Sequence, residues 1–172
     1  MNEGKRWESN FRESMGAGCI RLYDTTNGFI GVNNPCDFIF YKYPYQYLFE
    51  LKSVEKTSLP LTGTTLRQIE DMYKIMQTGE GIMGGICVQF REVKKAFFIP
   101  VPQLKYALEM EGLKSISLEY CETRVGEQLI EIPVKYKKVN CLVDKREFLC
   151  RLGYLMFYLR WGESVDGKTT IN

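Results

Sequence analysis

The sequence contains no histidine among its 172 residues. This absence excludes serine–histidine and cysteine–histidine catalysis, and it also excludes a zinc or iron centre that is held by imidazole. If the chain is an enzyme, we therefore expect its chemistry to come from carboxylates, lysine and a hard cation.

Long apolar runs and zinc-type cysteine spacings are also missing. No apolar run reaches the ~18 residues that a membrane-spanning helix needs. The six cysteines lie at positions 19, 36, 87, 121, 141 and 150, and none of their gaps is the short spacing of a structural zinc site. The chain opens with polar, helix-compatible residues rather than a signal peptide. We therefore expect reduced thiols and a cytoplasmic protein that does not engage a membrane.

An excess of charge of one sign is absent too. The chain has 23 Lys and Arg against 21 Asp and Glu, a net charge of +2, which does not by itself indicate nucleic-acid binding. The segment 133–151 is locally basic, and its residues Lys135, Lys137 and Lys138 are candidates for DNA contacts. On charge alone, an ordinary solvated surface explains this stretch equally well.

Hydrophobic periodicity predicts an alternation of helices and strands. Trp7, Phe11 and Met15 recur at i, i+4 and i+8 and indicate an amphipathic helix over residues 4–14. Two aromatic runs, 37–42 and 47–52, flank a proline-containing turn and predict a β-hairpin.

The remaining segments favour an α/β fold. We predict helices over 65–78, 101–112 and 144–160, strands over 19–23, 82–90 and 96–100, and loops over 24–35 and 53–64. In the helix over 65–78, Leu66, Ile69 and Met76 mark the expected apolar face. The order of elements indicates a mixed β-sheet flanked by helices. We expect one domain over residues 1–160 and a flexible C-terminal tail over 161–172.

The residues that carry chemistry cluster at the predicted hairpin. Glu50 and Lys52 are two positions apart on one strand, so their side chains share a face, and Asp37 begins the neighbouring strand. Two carboxylates 4 Å apart repel by ~1 kcal/mol in bulk water and by more where solvent is excluded. A divalent cation offsets this repulsion, and Mg²⁺ favours one or two carboxylates together with water and phosphate.

We therefore predict a metal site made by Asp37, Glu50 and the backbone carbonyl of Leu51. Lys52 would lie beside the attacking water and the phosphate, where it stabilises developing negative charge. The alternative is that Glu50 and Lys52 form a solvated ion pair on a strand face, worth ~0–1 kcal/mol. The E-x-K spacing by itself is weak, and the preceding P-x-D strengthens it.

With these residues the chain resembles the PD-(D/E)xK nuclease superfamily, and more closely the RecU-type Holliday-junction resolvases of Gram-positive bacteria and their phages. The segments that carry the resemblance are 4–11, 34–38, 49–53, 56–60, 67–70, 96–100 and 112–116. It covers roughly residues 4 to 150. The E-x-K alone is unspecific, whereas the ordered set is fairly specific.

The resemblance implies a restriction-endonuclease-like core and a homodimer. Such a dimer binds branched DNA in the form of a four-way junction. It then nicks two strands symmetrically with Mg²⁺ or Mn²⁺. It also implies that Glu8 is an additional metal ligand and that Gln68 orients water or contacts phosphate. Lys56 and Arg67, which flank the active-site loop, and Arg21 are further candidates for phosphate contacts, with ordinary solvated side chains as the alternative.

One departure from the family concerns the stalk that engages the junction. Only residues 16–36 occupy its place, so the stalk is truncated or absent, and junction selectivity is less firmly implied than nuclease chemistry. Two alternatives remain open at this point. One is a restriction- or repair-type nuclease of the same superfamily, and the other is a non-catalytic DNA-binding accessory protein of recombination.

Overall fold

A computed structural model describes residues 2–22, 34–126, 128–138 and 140–161. Its centre is a six-stranded sheet. In spatial order the strands are β1 (Cys19–Arg21), β2 (Phe38–Lys42), β3 (Tyr45–Val54), β5 (Ile82–Phe90), β6 (Lys95–Pro100) and β8 (Ile130–Glu131). β3 and β5 are parallel, and all other neighbouring pairs are antiparallel. The predicted mixed α/β sheet flanked by helices is confirmed.

Helices cover both faces of the sheet because the side chains along its strands point alternately into two apolar layers. Tyr47, Phe49 and Leu51 of β3 point into one layer, with α1 (Glu3–Met15) and α5 (Lys145–Trp161). Leu48 points into the other, with α2 (Gly63–Met76) and α3 (Val101–Met110). This two-residue alternation is the ordinary geometry of a strand.

Helix α1 forms as its periodicity predicts. The side chain of Asn2 accepts a hydrogen bond from the backbone N–H of Gly4 and caps the helix, and Gly16, with a φ of 72°, ends it. Trp7, Phe11 and Met15 are all buried. Burying a large apolar side chain of this kind stabilises the fold by about 1.5–3 kcal/mol. These contacts fix α1 across the hairpin of β2 and β3.

Helix α2 was predicted at the right position, and its predicted apolar face is correct except at Leu66. It begins at Gly63 rather than residue 65, and Leu66 is 39% exposed, whereas Thr65 and Gln68 are buried. The reason is that the first turn of α2 faces polar groups of β3 rather than the apolar layer. Ile69 and Met72 further along do enter the core.

The predicted loop over 53–64 contains a short strand, β4 (Ser58–Pro60), and this part of the prediction is wrong. β4 pairs with β7 (Ser115–Ser117), where Leu59 lies opposite Ile116 and both are buried. A partner 57 positions away in the sequence leaves no local signal. The other elements are α4 (Leu118–Glu122), β9 (Val134–Lys137) and β10 (Asn140–Val143), and the last two form a separate hairpin.

The other predicted helices and strands are present with small shifts. The turn of the β2–β3 hairpin is tighter than expected, because only Tyr43 and Pro44, joined by a cis peptide bond, separate the strands. Most of the predicted loop over 24–35 and nearly all of the predicted tail over 161–172 lie outside the described residues, although Trp161 ends α5.

The described helices include none with the length and apolar character that crossing a bilayer demands. All six cysteines are free thiols, and Cys150 is the exposed one.

Candidate active site

The three residues at the centre of the sequence prediction meet at one end of the sheet. Asp37 directly precedes β2, and its backbone continues the ladder, because its N–H donates to the carbonyl of Phe49 at 3.0 Å. Its Oδ2 accepts a hydrogen bond from the backbone N–H of Leu51 at 2.7 Å. The hairpin register therefore holds the Asp37 carboxylate beside the strand that carries Glu50 and Lys52.

Glu50 is a buried carboxylate, 1% exposed, with its two oxygens in different situations. Oε1 accepts a hydrogen bond from Nζ of Lys52 at 2.6 Å. Oε2 is buried and makes no hydrogen bond of normal geometry, although the Gln68 side chain is close enough to lower the pKa of Glu50. The alternative of a solvated strand-face ion pair therefore does not describe Glu50, since water does not reach it and half of its acceptor capacity is unused.

Burial raises the pKa of both acidic groups. The pKa of Glu50 rises from 4.5 to about 7, through loss of solvation and then through the charge of Asp37, against the effect of Lys52. The pKa of Asp37 rises from 3.8 to about 6, chiefly through burial, while the hydrogen bond from Leu51 opposes the rise. In both groups the loss of solvation outweighs the opposing positive charges, Lys52 beside Glu50 and Lys52 with Arg21 near Asp37, so both carboxyls hold a proton more readily than they would in water.

Lys52 and Gln68 complete the inner part of the site. Nζ of Lys52 donates a second hydrogen bond to Oε1 of Gln68 at 3.2 Å. Gln68 is buried in the first turns of α2, as predicted, and it bridges this helix to β3. The ammonium group is thus held from two sides, by Glu50 and by Gln68.

Glu8 and Arg21 form an ion pair at the edge of the same site. Glu8 projects from α1 and is close enough to Asp37 for its charge to raise the pKa of that carboxyl. Arg21 ends β1, and its positive charge lowers the same pKa. The structure therefore brings the predicted residue Glu8 next to Asp37, with a cationic partner of its own.

The donor set at this site fits a divalent cation. Within the part of the chain that the structure describes, no group of three or more His, Cys, Asp or Glu side chains is placed to hold a metal. The two carboxylates Asp37 and Glu50 suit Mg²⁺, which takes few protein ligands and keeps water and substrate oxygens. The unpartnered Oε2 of Glu50 is the specific observation that a cation would explain. The carbonyl of Leu51 stays a prediction as a third ligand.

The predicted basic residues are distributed over several elements. Lys56 is exposed in the segment between β3 and β4, and Arg67 lies on the outer side of α2, 3.9 Å from Asp71. Lys135, Lys137 and Lys138 are exposed on the β9–β10 hairpin, where Nζ of Lys135 is 3.0 Å from Oδ2 of Asp144. Among the described ion pairs of these predicted phosphate contacts, the one that involves an active-site residue joins Arg21 to Glu8, at the edge of the site.

A second polar group was missed by the sequence prediction. The buried Gln89 of β5 receives a hydrogen bond from the Ser53 hydroxyl at 2.9 Å, and its amide lies 3.3 Å from the hydroxyl of Tyr136. Since Ser53 follows Lys52, this bridge connects the basic hairpin to the strand that carries the site. The available signal was Gln89 itself, a polar side chain near the end of an otherwise apolar strand.

No protein-family model and no curated protein sequence matches the chain. The structure of this chain is similar to a solved structure of Hjc from Archaeoglobus fulgidus, a Holliday junction resolvase from an archaeal hyperthermophile. The TM-score is 0.46 and the sequences are 17% identical, with 74% of this chain and 87% of that chain covered.

Proposed function

We propose that this chain is a Mg²⁺- or Mn²⁺-dependent DNA endonuclease of the PD-(D/E)xK type that resolves four-way junctions. The observation that carries the proposal is the buried carboxylate of Glu50, with one oxygen on Lys52 and the other unpartnered beside Asp37. A buried ion pair that served the fold alone would use its remaining acceptor, because an unsatisfied buried polar atom costs about 1–3 kcal/mol.

Asp37 and Glu50 would hold the cation, with the carbonyl of Leu51 as the predicted third protein ligand. When bound, the cation supplies an activated water and neutralises charge on the phosphate. The protein's own contribution is preorganisation. The hydrogen bond from Leu51 fixes the Asp37 carboxylate, and the burial of Glu50 keeps competing water away from its oxygens.

Lys52 would act on the phosphate rather than on the metal. Its ammonium group, held by Glu50 and Gln68, can donate a hydrogen bond to the phosphate oxygen that gains charge as water attacks. In this hydrolysis the bond from water oxygen to phosphorus forms, the bond to one ester oxygen breaks, and that oxygen takes a proton. Gln68 holds Lys52 and lies where it can also orient the water.

The outer residues would direct the nucleic acid. Glu8 adds a third negative charge near the cation, and Arg21 balances it. The exposed lysines of the β9–β10 hairpin, together with Lys56 and Arg67, would meet the phosphate backbone, which dominates the affinity of proteins for DNA of any sequence. A four-way junction requires two equivalent cuts, and a homodimer with two-fold symmetry provides two equivalent sites.

The test is to incubate the protein with labelled four-way, Y-shaped and linear DNA, each with and without Mg²⁺. Paired nicks in the four-way substrate that need Mg²⁺ are expected. A Glu50→Gln variant should bind the junction without cutting it. The control Glu109→Gln, at an exposed position of α3, should behave as the unmodified protein. Cleavage of linear or Y-shaped DNA at equal rates would indicate another nuclease of the superfamily. Binding of DNA without any cleavage would indicate an accessory protein.

A further inference from the structure

Helix α5 is apolar on two opposite faces, and only one of them is buried within the chain. Phe148, Leu149, Leu152, Leu155 and Met156 enter the core. On the other side Cys150, Tyr154, Phe157 and Tyr158 recur at i, i+4, i+7 and i+8 and are exposed, and we call these four residues the α5 aromatic face. α5 also carries the charged residues Arg146, Glu147 and Arg151, so its exposed apolar surface is a stripe, and a contiguous exposed apolar surface marks an interaction site.

The α5 aromatic face has the size of an interface centre. Tyr154 is 65% exposed, Phe157 62% and Tyr158 46%. Since an aromatic side chain presents roughly 150–250 Å² when fully accessible, the three rings together offer roughly 300–400 Å² of mostly apolar surface. A standard interface buries about 800 Å² on each partner, with its aromatic residues at the centre.

An apolar groove of about 430 Å³ adjoins this face, between α5 and the edge of the sheet at β8. Leu129, Ile130, Cys150 and Tyr154 are among the residues that line it. A projecting ring and a neighbouring groove on the same surface are the elements of a self-complementary contact, in which each copy fills the groove of the other. The flanking ion pair of Glu147 with Arg151 brings both signs of charge, so two copies meet without net repulsion there.

The C-terminal residues 162–172 hold only two apolar side chains, Val165 and Ile171, which are too few to cover the α5 aromatic face.

We infer that the α5 aromatic face is the surface on which a second copy of this chain packs, about a two-fold axis. The inference rests on the proposed function, since paired cutting is what gives two copies a purpose. Dimer formation can be measured without DNA or metal. A chain that does not cut DNA can therefore still prove dimeric, and an active nuclease can still prove monomeric, so the two proposals fail separately.

The first measurement is the mass in solution by light scattering after size exclusion. The unmodified chain is expected at twice 20.0 kDa, and Tyr154→Glu with Phe157→Glu is expected at 20.0 kDa. Tyr106→Glu is the matched control, because Tyr106 is 56% exposed but lies on α3, across the sheet. A monomeric unmodified chain at 100-fold the concentration used for cleavage assays, or a dimer that survives the double substitution, would overturn the inference.

The second measurement uses the native thiol and does not depend on the folding of a variant. Cys150 is the exposed cysteine of the six. Because the proposed interface covers Cys150, a monofunctional maleimide should label this thiol slowly at concentrations where light scattering shows the dimer, and faster on dilution to the monomer. Labelling of the dimer as rapid as that of the monomer would contradict the inference. If the double substitution instead lowers DNA affinity without a change in mass, the face binds nucleic acid and the inference is wrong.

Discussion

The backbone N–H of Leu51, the residue between Glu50 and Lys52, donates to Oδ2 of Asp37 at 2.7 Å. One strand therefore supplies a carboxylate, an ammonium group and the hydrogen bond that positions the second carboxylate. The site depends on the register of a single hairpin, which pairs Phe38 with Phe49.

Asp37→Asn should abolish cleavage and leave the fold and the junction affinity largely unchanged. The amide oxygen of asparagine can still accept the hydrogen bond from Leu51, but the negative charge toward the cation is gone. Cleavage rates with Mg²⁺, gel-shift affinity without it and the thermal midpoint together test this. Cleavage at the unmodified rate would remove Asp37 from the metal site.

The stability of the metal-free protein should fall as the pH rises from about 4.5 to 7. Glu50 has a pKa of about 7 in the fold and an ordinary pKa of 4.5, so across this window the folded state holds a proton that the unfolded chain has released. Stability falls with pH wherever the folded state binds more protons, here by up to roughly 3 kcal/mol. Glu50→Gln should reduce the dependence to the part that Asp37, with a pKa raised to about 6, still contributes, and it should raise the thermal midpoint by several degrees at pH 8.

The thermal midpoint measured with Mg²⁺ distinguishes metal binding at this site from the stability of the metal-free protein. Metal should raise the midpoint of the unmodified protein at pH 8, because it binds the folded state. It should do so much less in Glu50→Gln. Equal metal-induced shifts in the two proteins would show that the cation binds elsewhere.

Lys52→Ala should slow cleavage by roughly 10²–10³-fold, the usual effect of removing one donor to developing charge. The loss should persist at saturating Mg²⁺, since the ammonium group acts on phosphate and water. A titration of the rate with Mg²⁺ is the measurement. Full recovery at high Mg²⁺ would mean that Lys52 supports metal binding instead.

Lys137→Gln and Lys138→Gln should each weaken DNA binding and reduce its salt dependence. Each lost phosphate contact is expected to lower the slope of log affinity against log salt by about 0.9. The exposed Lys74→Gln, on α2, is the matched control. An unchanged slope in the hairpin variants would place the DNA elsewhere on the protein.

The sequence predicts the parts of this fold that local pattern determines. Trp7, Phe11 and Met15 give α1 directly, and the two aromatic runs give the hairpin and its carboxylates. Gln68 entered the prediction through the family resemblance; the structure buries it beside Lys52, and its role stays a prediction. Leu66 was assigned to the core wrongly, since periodicity does not show that the first turn of α2 faces a polar site.

Long-range pairing accounts for the rest of what was missed. β4 exists because Leu59 meets Ile116, and the bridge through Gln89 joins Ser53 to Tyr136, 83 positions later in the chain. Neither contact leaves a periodic pattern in its own segment. The sequence also gives no sign of the unpartnered oxygen of Glu50, because the burial of a charged residue depends on all the residues that pack around it.

Cys36 stands next to Asp37 in the sequence, and its thiol is buried and hydrogen-bonded to the backbone. It is 1% exposed, its thiol donates to the carbonyl of Phe38 at 3.4 Å, and burial, reinforced by Glu50 and Asp37, raises its pKa to about 12. A thiolate would have made this a soft centre and favoured Zn²⁺ or Cu⁺. With the sulfur protonated and bonded to Phe38, the described residues would offer the proposed cation hard oxygen donors, which favour Mg²⁺ over thiophilic metals.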